Sequence, residues 1–202
     1  MTSAPLAAAL RIGLILSLLD PIVSLDWRVQ HAVQSARPQL PLEQLMQGAT
    51  DAGKHERIFG LLLAVALFTG APGPQTAREC LMALIPAILT VEGIKRLVDR
   101  TRPDGESKRS NSSFPSSHAA GAFALATVFT RRWKRLWPIW VLAAALVAGS
   151  RLYLNRHFLS DVVVGAMIGF AWAWALARWV FDRTWKRAPR TGSDPELPTL
   201  VV

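Results

Sequence analysis

Hydrophobic residues in this 202-residue chain are gathered into blocks that are separated by polar or proline-containing segments. Six blocks stand out, at residues 5–25, 57–72, 78–98, 116–131, 136–152 and 159–181. Most of them approach the roughly 17–25 apolar residues that a helix needs to cross a bilayer. The pattern therefore predicts an all-α fold, an integral membrane bundle of six transmembrane helices.

The segments between and after these blocks complete the predicted organisation. Residues 26–56, which include PLEQLMQ, are expected to form short amphipathic helices on the outer surface. A single domain is expected over residues 1–185, followed by a flexible cytoplasmic tail at 186–202 that is rich in Pro, Thr and charge. The first block carries Arg11 and Asp20, and a cleaved signal peptide is the alternative for it, although a basic N-terminal region is missing.

Basic residues give the chain a net charge of +9, and they cluster beside the apolar blocks. This placement favours membrane topology and anionic headgroups over nucleic acid as the reason for the charge. The short basic loops TRRWKR and RTWKRAPR are predicted to be cytoplasmic. Residues 99–115 then lie outside, yet they are also basic, so their charge requires a functional explanation.

Three polar clusters fall at the predicted outer ends of the helices. KRLVDRTRP contains Lys95 and Arg102, FPSSH contains Ser116, Ser117 and His118, and SRLYLNRHFLSD contains Arg151, His157 and Asp161. In a bundle these clusters would converge. Lysine and arginine side chains form anion sites, and the planar guanidinium matches phosphate oxygens. A proline and two serines before an apolar run are typical of a helix N-terminus, where free N–H groups bind phosphate.

The two histidines in these clusters suit acid–base and nucleophilic chemistry. His157 and Asp161 are four residues apart, so on a helix they would share one face. A carboxylate that accepts a hydrogen bond from one ring nitrogen leaves the other nitrogen free as a nucleophile or base. His118 supplies a second imidazole, which can protonate a leaving group.

The three clusters resemble the type 2 phosphatidic acid phosphatase superfamily, whose pattern is K-x6-R-P, then P-S-G-H, then S-R-x5-H-x3-D. Only PSSH departs from it, with Ser117 where the family usually has glycine. The resemblance implies a phosphatase that removes the terminal phosphate of a lipid phosphate or diphosphate, with its active site at the outer, periplasmic face of a bacterial inner membrane. The phosphate substrate could be phosphatidic acid, phosphatidylglycerol phosphate, a polyprenyl diphosphate such as undecaprenyl diphosphate, or phosphorylated lipid A.

The resemblance also implies residue roles. His157 would attack phosphorus to form a phosphohistidine, Asp161 would orient His157, and His118 would protonate the leaving oxygen. The phosphoryl oxygens would be held by Lys95, Arg102, Ser116, Ser117 and Arg151. No metal and no other cofactor is implied; the partners are the lipid substrate and the bilayer, with no nucleic acid.

Three alternatives remain open at this point. They are phosphotransfer between lipids, haloperoxidase chemistry with vanadate in the same pocket, and a non-catalytic lipid-binding protein. Outside the family pattern, Glu92 is expected to pair with Lys95. Four further basic residues of this region are interpreted as solvated charges, with attraction of anionic headgroups as the alternative: Arg96, Arg100, Lys108 and Arg109.

Overall fold

The computed structural model describes the backbone of residues 3–39, 42–106 and 112–187, with side chains described for 20–38, 42–106 and 112–179. Within these residues all regular secondary structure is helical, which confirms the predicted all-α fold class. The seven α-helices are α1 Ser3–Ala36, α2 Glu43–Ala52, α3 His55–Phe68, α4 Gly73–Leu97, α5 Ser117–Arg132, α6 Trp137–Tyr153 and α7 Leu159–Arg187. Short 3-10 turns follow α1 and precede α6.

Each of the six apolar blocks corresponds to one helix, but two helices differ in length from the prediction. The block at 57–72 forms a helix only to Phe68, where α3 ends, and the first helix is longer than predicted. It does not end near residue 25; α1 continues to Ala36 and takes up the first third of the segment expected to hold only short helices. One short helix of that segment, α2, is present as predicted. The proposed tail lies largely outside the described residues, which end at 187.

Two helical stretches in the described part of the chain are long and apolar enough to cross a bilayer, at 134–153 and 159–179. The helices α3 and α5 are shorter, with 14 and 16 residues, and α4 carries charged residues near both ends. The count of six spans therefore stays a prediction. Large apolar side chains nevertheless face outward on several helices, and Leu63, Leu67, Leu142 and Met167 are all more than 60% exposed. Such surfaces suit a membrane protein.

Helix α5 is central in the bundle and packs against α4, α6 and α7. Its contact with α7 depends on glycines that allow the two backbones to approach closely. A Cβ atom at Gly169 would lie 2.0 Å from the Ala120 carbonyl oxygen, and one at Gly165 would lie 2.4 Å from that of Ser116. This packing fixes the beginning of α5 against the first turns of α7.

The three polar clusters converge at one end of the bundle, as predicted. Helices α4 and α6 end there, and α5 and α7 begin there. The Ser116 N–H donates to the Asp161 carbonyl oxygen at 3.0 Å, and the Ser113 N–H donates to that of Arg100 at 2.8 Å. These bonds join the segment before α5 to the start of α7 and to the segment after α4.

Candidate active site

His157 lies in the short loop between α6 and α7 and is only 2% exposed. Its Nδ1 atom is 2.7 Å from the carbonyl oxygen of Ser113. Because a carbonyl oxygen can only accept, Nδ1 carries the hydrogen and Nε2 keeps its lone pair. Burial lowers the pKa of His157 from 6.5 to about 4, although the Asp161 carboxylate opposes the shift. His157 is therefore a neutral imidazole at neutral pH, with Nε2 available as a nucleophile.

Asp161 does not bond to His157 in the way that the sequence spacing suggested. Its Oδ2 atom is 3.7 Å from His157 Nδ1, beyond hydrogen-bond distance. The same oxygen accepts from the Ser113 hydroxyl and from the Phe158 N–H, the latter at 2.8 Å. The predicted direct bond is thus replaced by the Ser113 carbonyl. Asp161 holds the peptide segments on both sides of the imidazole and places a negative charge near it.

His118 lies in the first turn of α5. The ionisable side chains of Arg151, His157 and Lys95 lie close enough to interact with it electrostatically. Its Nε2 atom is buried and has no hydrogen-bond partner among the described residues. Gly53 packs directly beside the ring, since a Cβ atom there would lie 2.8 Å from His118 Cδ2. The second imidazole thus has a nitrogen that a bound ligand can satisfy.

The two serines of PSSH differ in what their hydroxyl groups contact. Ser116 is the N-cap of α5, and its hydroxyl accepts from the Ala119 N–H at 3.4 Å, which confirms the predicted helix start. The Ser117 hydroxyl donates to Glu92 Oε1 at 3.2 Å, and Lys95 Nζ lies 3.3 Å from the same oxygen. The predicted Glu92–Lys95 pair is therefore present. The Ser117 hydroxyl thus contacts the Glu92 carboxylate in this structure.

Three cations at this end of the bundle are nine-tenths buried or more, namely Lys95, Arg102 and Arg151. Arg102 donates to the Arg156 carbonyl oxygen at 3.2 Å, and Arg151 donates to the Thr50 hydroxyl of α2. The three charges lie close enough to repel one another. Arg151 Nε is buried without a hydrogen-bond partner among the described residues. Buried cations with open donors stabilise a bound anion.

The interpretation of Arg100 as a solvated charge is wrong. Arg100 donates to Asp161 Oδ1 at 2.5 Å through one nitrogen and to Asp26 Oδ2 at 2.7 Å through another. Its guanidinium also lies over the Phe158 ring, 4.4 Å from the centroid. Basic residues after a membrane helix are usually solvated, so the local sequence gives no signal of this pairing. Arg96 lies outside this network, and Lys108 and Arg109 lie outside the described residues.

The profile of the PAP2 superfamily matches residues 76–185, which is more than half of the chain and includes all eight predicted site residues. The chain is 35% identical over 154 residues to a decaprenylphosphoryl-5-phosphoribose phosphatase from Mycobacterium tuberculosis, covering 70% of this chain and 82% of that protein. It is 39% identical over 87 residues to a lipid A 1-phosphatase from Porphyromonas gingivalis, where the match covers 41% of this chain but only 19% of the relative's length.

Two solved structures have the same arrangement of helices. The crystal structure of Aquifex aeolicus LpxE superimposes with a TM-score of 0.66 and 25% identity, covering 75% of this chain and 94% of that one. A transmembrane PAP2 type phosphatidylglycerolphosphate phosphatase from Bacillus subtilis also gives 0.66, with 91% and 98% coverage and 23% identity, and so shares the fold. The resemblance seen in the three motifs is confirmed, and the chain belongs to the PAP2 superfamily.

Proposed function

We propose that the chain is a membrane-embedded lipid phosphatase that hydrolyses a terminal phosphate through a phosphohistidine intermediate. The observation that carries the proposal is the pairing of a neutral, buried His157 with three buried cations, of which Arg151 has an Nε–H without a hydrogen-bond partner among the described residues. Phosphoryl transfer is mostly a matter of positioning and charge stabilisation, and this end of the bundle has both. The two named relatives are phosphatases of phosphorylated lipids, and this supports the proposed activity.

In the proposed reaction, His157 Nε2 attacks phosphorus while the bond from phosphorus to the leaving oxygen breaks. His118 gives that oxygen a proton, so that the lipid departs as a neutral alcohol or a lipid monophosphate. Lys95, Arg102 and Arg151 neutralise the equatorial oxygens, together with the N–H groups that open α5. The Asp161 charge stabilises the phosphorylated imidazole, which is positive.

The second half of the reaction uses the same groups in reverse. Water attacks the phosphohistidine, the P–N bond breaks, and His118 takes the proton from the water. Inorganic phosphate leaves and His157 returns to its neutral form. No step needs a metal or an oxidant.

A lipid substrate is supported by an apolar groove that begins beside His118. The groove has a volume of about 160 Å³ and is lined by residues of α3, α5 and α6, from Gly53 at the site to Phe129 and Trp140 at its far end. Gly53 touches both the groove and the His118 ring. We infer that a hydrocarbon chain of the substrate occupies this groove while its phosphate occupies the cationic end.

The direct test is phosphate release by the purified protein in detergent with EDTA present. The substrate panel contains phosphatidic acid, phosphatidylglycerol phosphate, a polyprenyl diphosphate, phosphorylated lipid A and decaprenylphosphoryl phosphoribose. We expect release from at least one lipid, complete loss in His157→Ala, and near-normal rates in His31→Ala, which changes an exposed histidine of α1. Removing the nucleophile should cost roughly 10⁴-fold or more.

Two further readouts separate the alternatives. Substrate labelled with ³²P should give a phosphoenzyme that is labile in acid and stable in base, and His157→Ala should give none. Formation of a new phosphoester in place of free phosphate would indicate a lipid phosphotransferase. Release from none of the lipids, with folded protein, would reject the proposal, and inhibition by EDTA would reject its metal independence.

We also propose that the site faces the periplasm across a bacterial inner membrane. The basic residues at the end of α5 and in the turn before α6 lie at the end of the bundle away from the site, which suits a cytoplasmic location. Cys80 is fully buried and is the sole cysteine, so a Cys80→Ser background allows thiol labelling of exposed positions. An impermeant maleimide should label Thr101→Cys in intact cells and leave Arg135→Cys unlabelled; the opposite pattern would reverse the orientation.

A further inference from the structure

Helix α1 makes a polar contact with the active-site end of the bundle that lies outside the family match. The match begins at residue 76, whereas Asp26 belongs to α1. Asp26 is only 1% exposed, and its two oxygens accept three hydrogen bonds, two from Ser160 and one, which is also an ion pair, from Arg100. A buried carboxylate is retained only when it is fully paired, and Asp26 meets this requirement.

Arg100 connects Asp26 to the groups that hold His157. One guanidinium nitrogen contacts Asp26 Oδ2 at 2.7 Å, and another contacts Asp161 Oδ1 at 2.5 Å. The Arg100 carbonyl oxygen accepts from the Ser113 N–H at 2.8 Å. Arg100 is therefore bonded both to the carboxylate beside His157 and to the residue whose carbonyl group fixes the His157 tautomer.

The same helix also holds the other end of the His157 loop. Gln30 donates to the Leu152 carbonyl oxygen at 3.1 Å and to Asn155 Oδ1 at 2.6 Å. Gln34 donates to the Leu152 and Tyr153 carbonyl oxygens, each at 3.2 Å. These bonds add side-chain donors to carbonyl groups at the end of α6, where Leu152 also accepts from the Asn155 N–H at 3.0 Å. The loop from α6 to α7 is thus fixed by α1 before and after His157.

We propose that Asp26, acting through Arg100, is a positioning residue that holds Asp161 and the Ser113 carbonyl group against His157 during phosphoryl transfer. The proposal rests on the proposed phosphatase function. Without the Asp26 charge, the Arg100 guanidinium loses one of its two carboxylate partners. Asp161 and Ser113 then lose the fixed group between them, and the His157 ring is less well aligned for attack. A small misalignment of a reacting group costs a large factor in rate.

The test compares Asp26→Asn with Asp20→Asn, which makes the same change at an exposed position of the same helix. We expect Asp26→Asn to lower kcat by roughly tenfold or more with KM changed less than about threefold. The loss should be equally large on a substrate with an activated aryl leaving group, because the impaired step is attack by His157 and not protonation. Asp20→Asn should behave as the unchanged protein.

Coupling between the two residues gives a second test. If Asp26 acts through Arg100, Asp26→Asn combined with Arg100→Lys should be little worse than the more severe single variant, instead of showing the product of the two losses. A kcat for Asp26→Asn within about twofold of the unchanged protein, with an unchanged melting temperature, would overturn the proposal. Fully multiplicative losses would overturn the route through Arg100.

Hydrogen exchange tests the role of Asp26 in holding the His157 loop independently of enzyme activity. The Phe158 N–H donates to Asp161 Oδ2, so loosening of Asp161 should speed exchange across residues 154–162. We expect faster exchange there in Asp26→Asn and none of this change in Asp20→Asn. If the unchanged protein released no phosphate from any lipid, the proposed function would fail, and this measurement would still support or overturn the role of Asp26 in holding the loop.

Discussion

The two histidines of the site are held in opposite ways. Around His157, the Ser113 carbonyl, the Asp161 carboxylate and the loop backbone are all bonded within the protein. Around His118, one ring nitrogen has no partner among the described residues, and an apolar groove begins at Gly53. A nucleophile must be aligned before the substrate arrives, whereas a proton donor finds its partner in the substrate. This difference agrees with the proposed roles, in which His157 is held in place as the nucleophile and His118 contacts the bound ligand.

Removing His118 should separate the two sides most clearly. His118→Ala should lower kcat on a lipid phosphate by about 10²–10⁴-fold, the usual contribution of a general acid. Nitrophenyl phosphate has a leaving group that departs without a proton. On this substrate, His118→Ala should release nitrophenolate in the first turnover at a rate much closer to that of the unchanged protein. Rapid-quench kinetics on both substrates measure this, with His31→Ala as the control. An equal loss on both substrates would mean that His118 is not the acid.

The His157 ring is also expected to resist protonation. Burial, assisted by Arg151 and Arg102 and opposed by Asp161, lowers the pKa of His157 from 6.5 to about 4. Its Cε1 resonance in ¹³C-histidine-labelled protein should therefore titrate near pH 4, and His157→Ala identifies the signal. A midpoint near 6.5 would show that the ring is solvated and would weaken the contrast between the two histidines.

The same shift has a consequence for stability. In the unfolded chain this histidine takes up its proton near pH 6.5, whereas the folded protein resists it until about pH 4. The unfolded state therefore binds more protons between these values, and the contribution of His157 to the stability of the fold decreases as the pH falls through this window. Thermal melts at pH 7 and pH 5 should show a smaller decrease for His157→Ala than for the unchanged protein.

Much of the His118 side could be predicted from the sequence, whereas the support of His157 could not. The PSSH segment gives a local helix-start signal, and the structure places the N-cap at Ser116. By contrast, the hydrogen-bond partner of His157 is a backbone carbonyl, which any residue could supply at Ser113. The Asp26–Arg100 pair joins residues 74 positions apart, and neither has a neighbouring motif that indicates the pairing. Local patterns indicate helix ends and charges, but long-range pairing depends on how the helices pack.

The apolar groove gives a prediction on the ligand side. Ala143 of α6 lines the groove, while the preceding residue, Leu142, is 70% exposed on the outer surface. The phenyl ring of Ala143→Phe should displace at least about two methylene groups of the chain from the groove, which corresponds to ~1.6 kcal/mol of lost burial and roughly a tenfold higher KM for a long-chain lipid phosphate. KM for a short-chain analogue should hardly change. Leu142→Phe is the matched control, and equal effects of the two variants would argue against a chain in this groove.

The smallest effect is expected at Ser117, the position that departs from the family pattern. Its hydroxyl is bonded to Glu92, so Ser117→Gly and Ser117→Ala both remove that bond and leave the N–H groups of the α5 terminus in place. We expect kcat/KM to change by less than about threefold in either variant, since the bond is long, at 3.2 Å, and ends on a carboxylate that is 42% exposed, where solvent weakens it. Assays on the preferred lipid measure this. A large loss in both variants would mean that the hydroxyl turns from Glu92 to the phosphate when substrate binds, and a large gain in the glycine variant alone would mean that the serine side chain crowds it. Either result would show that Ser117 acts at the phosphate and not only through its contact with Glu92.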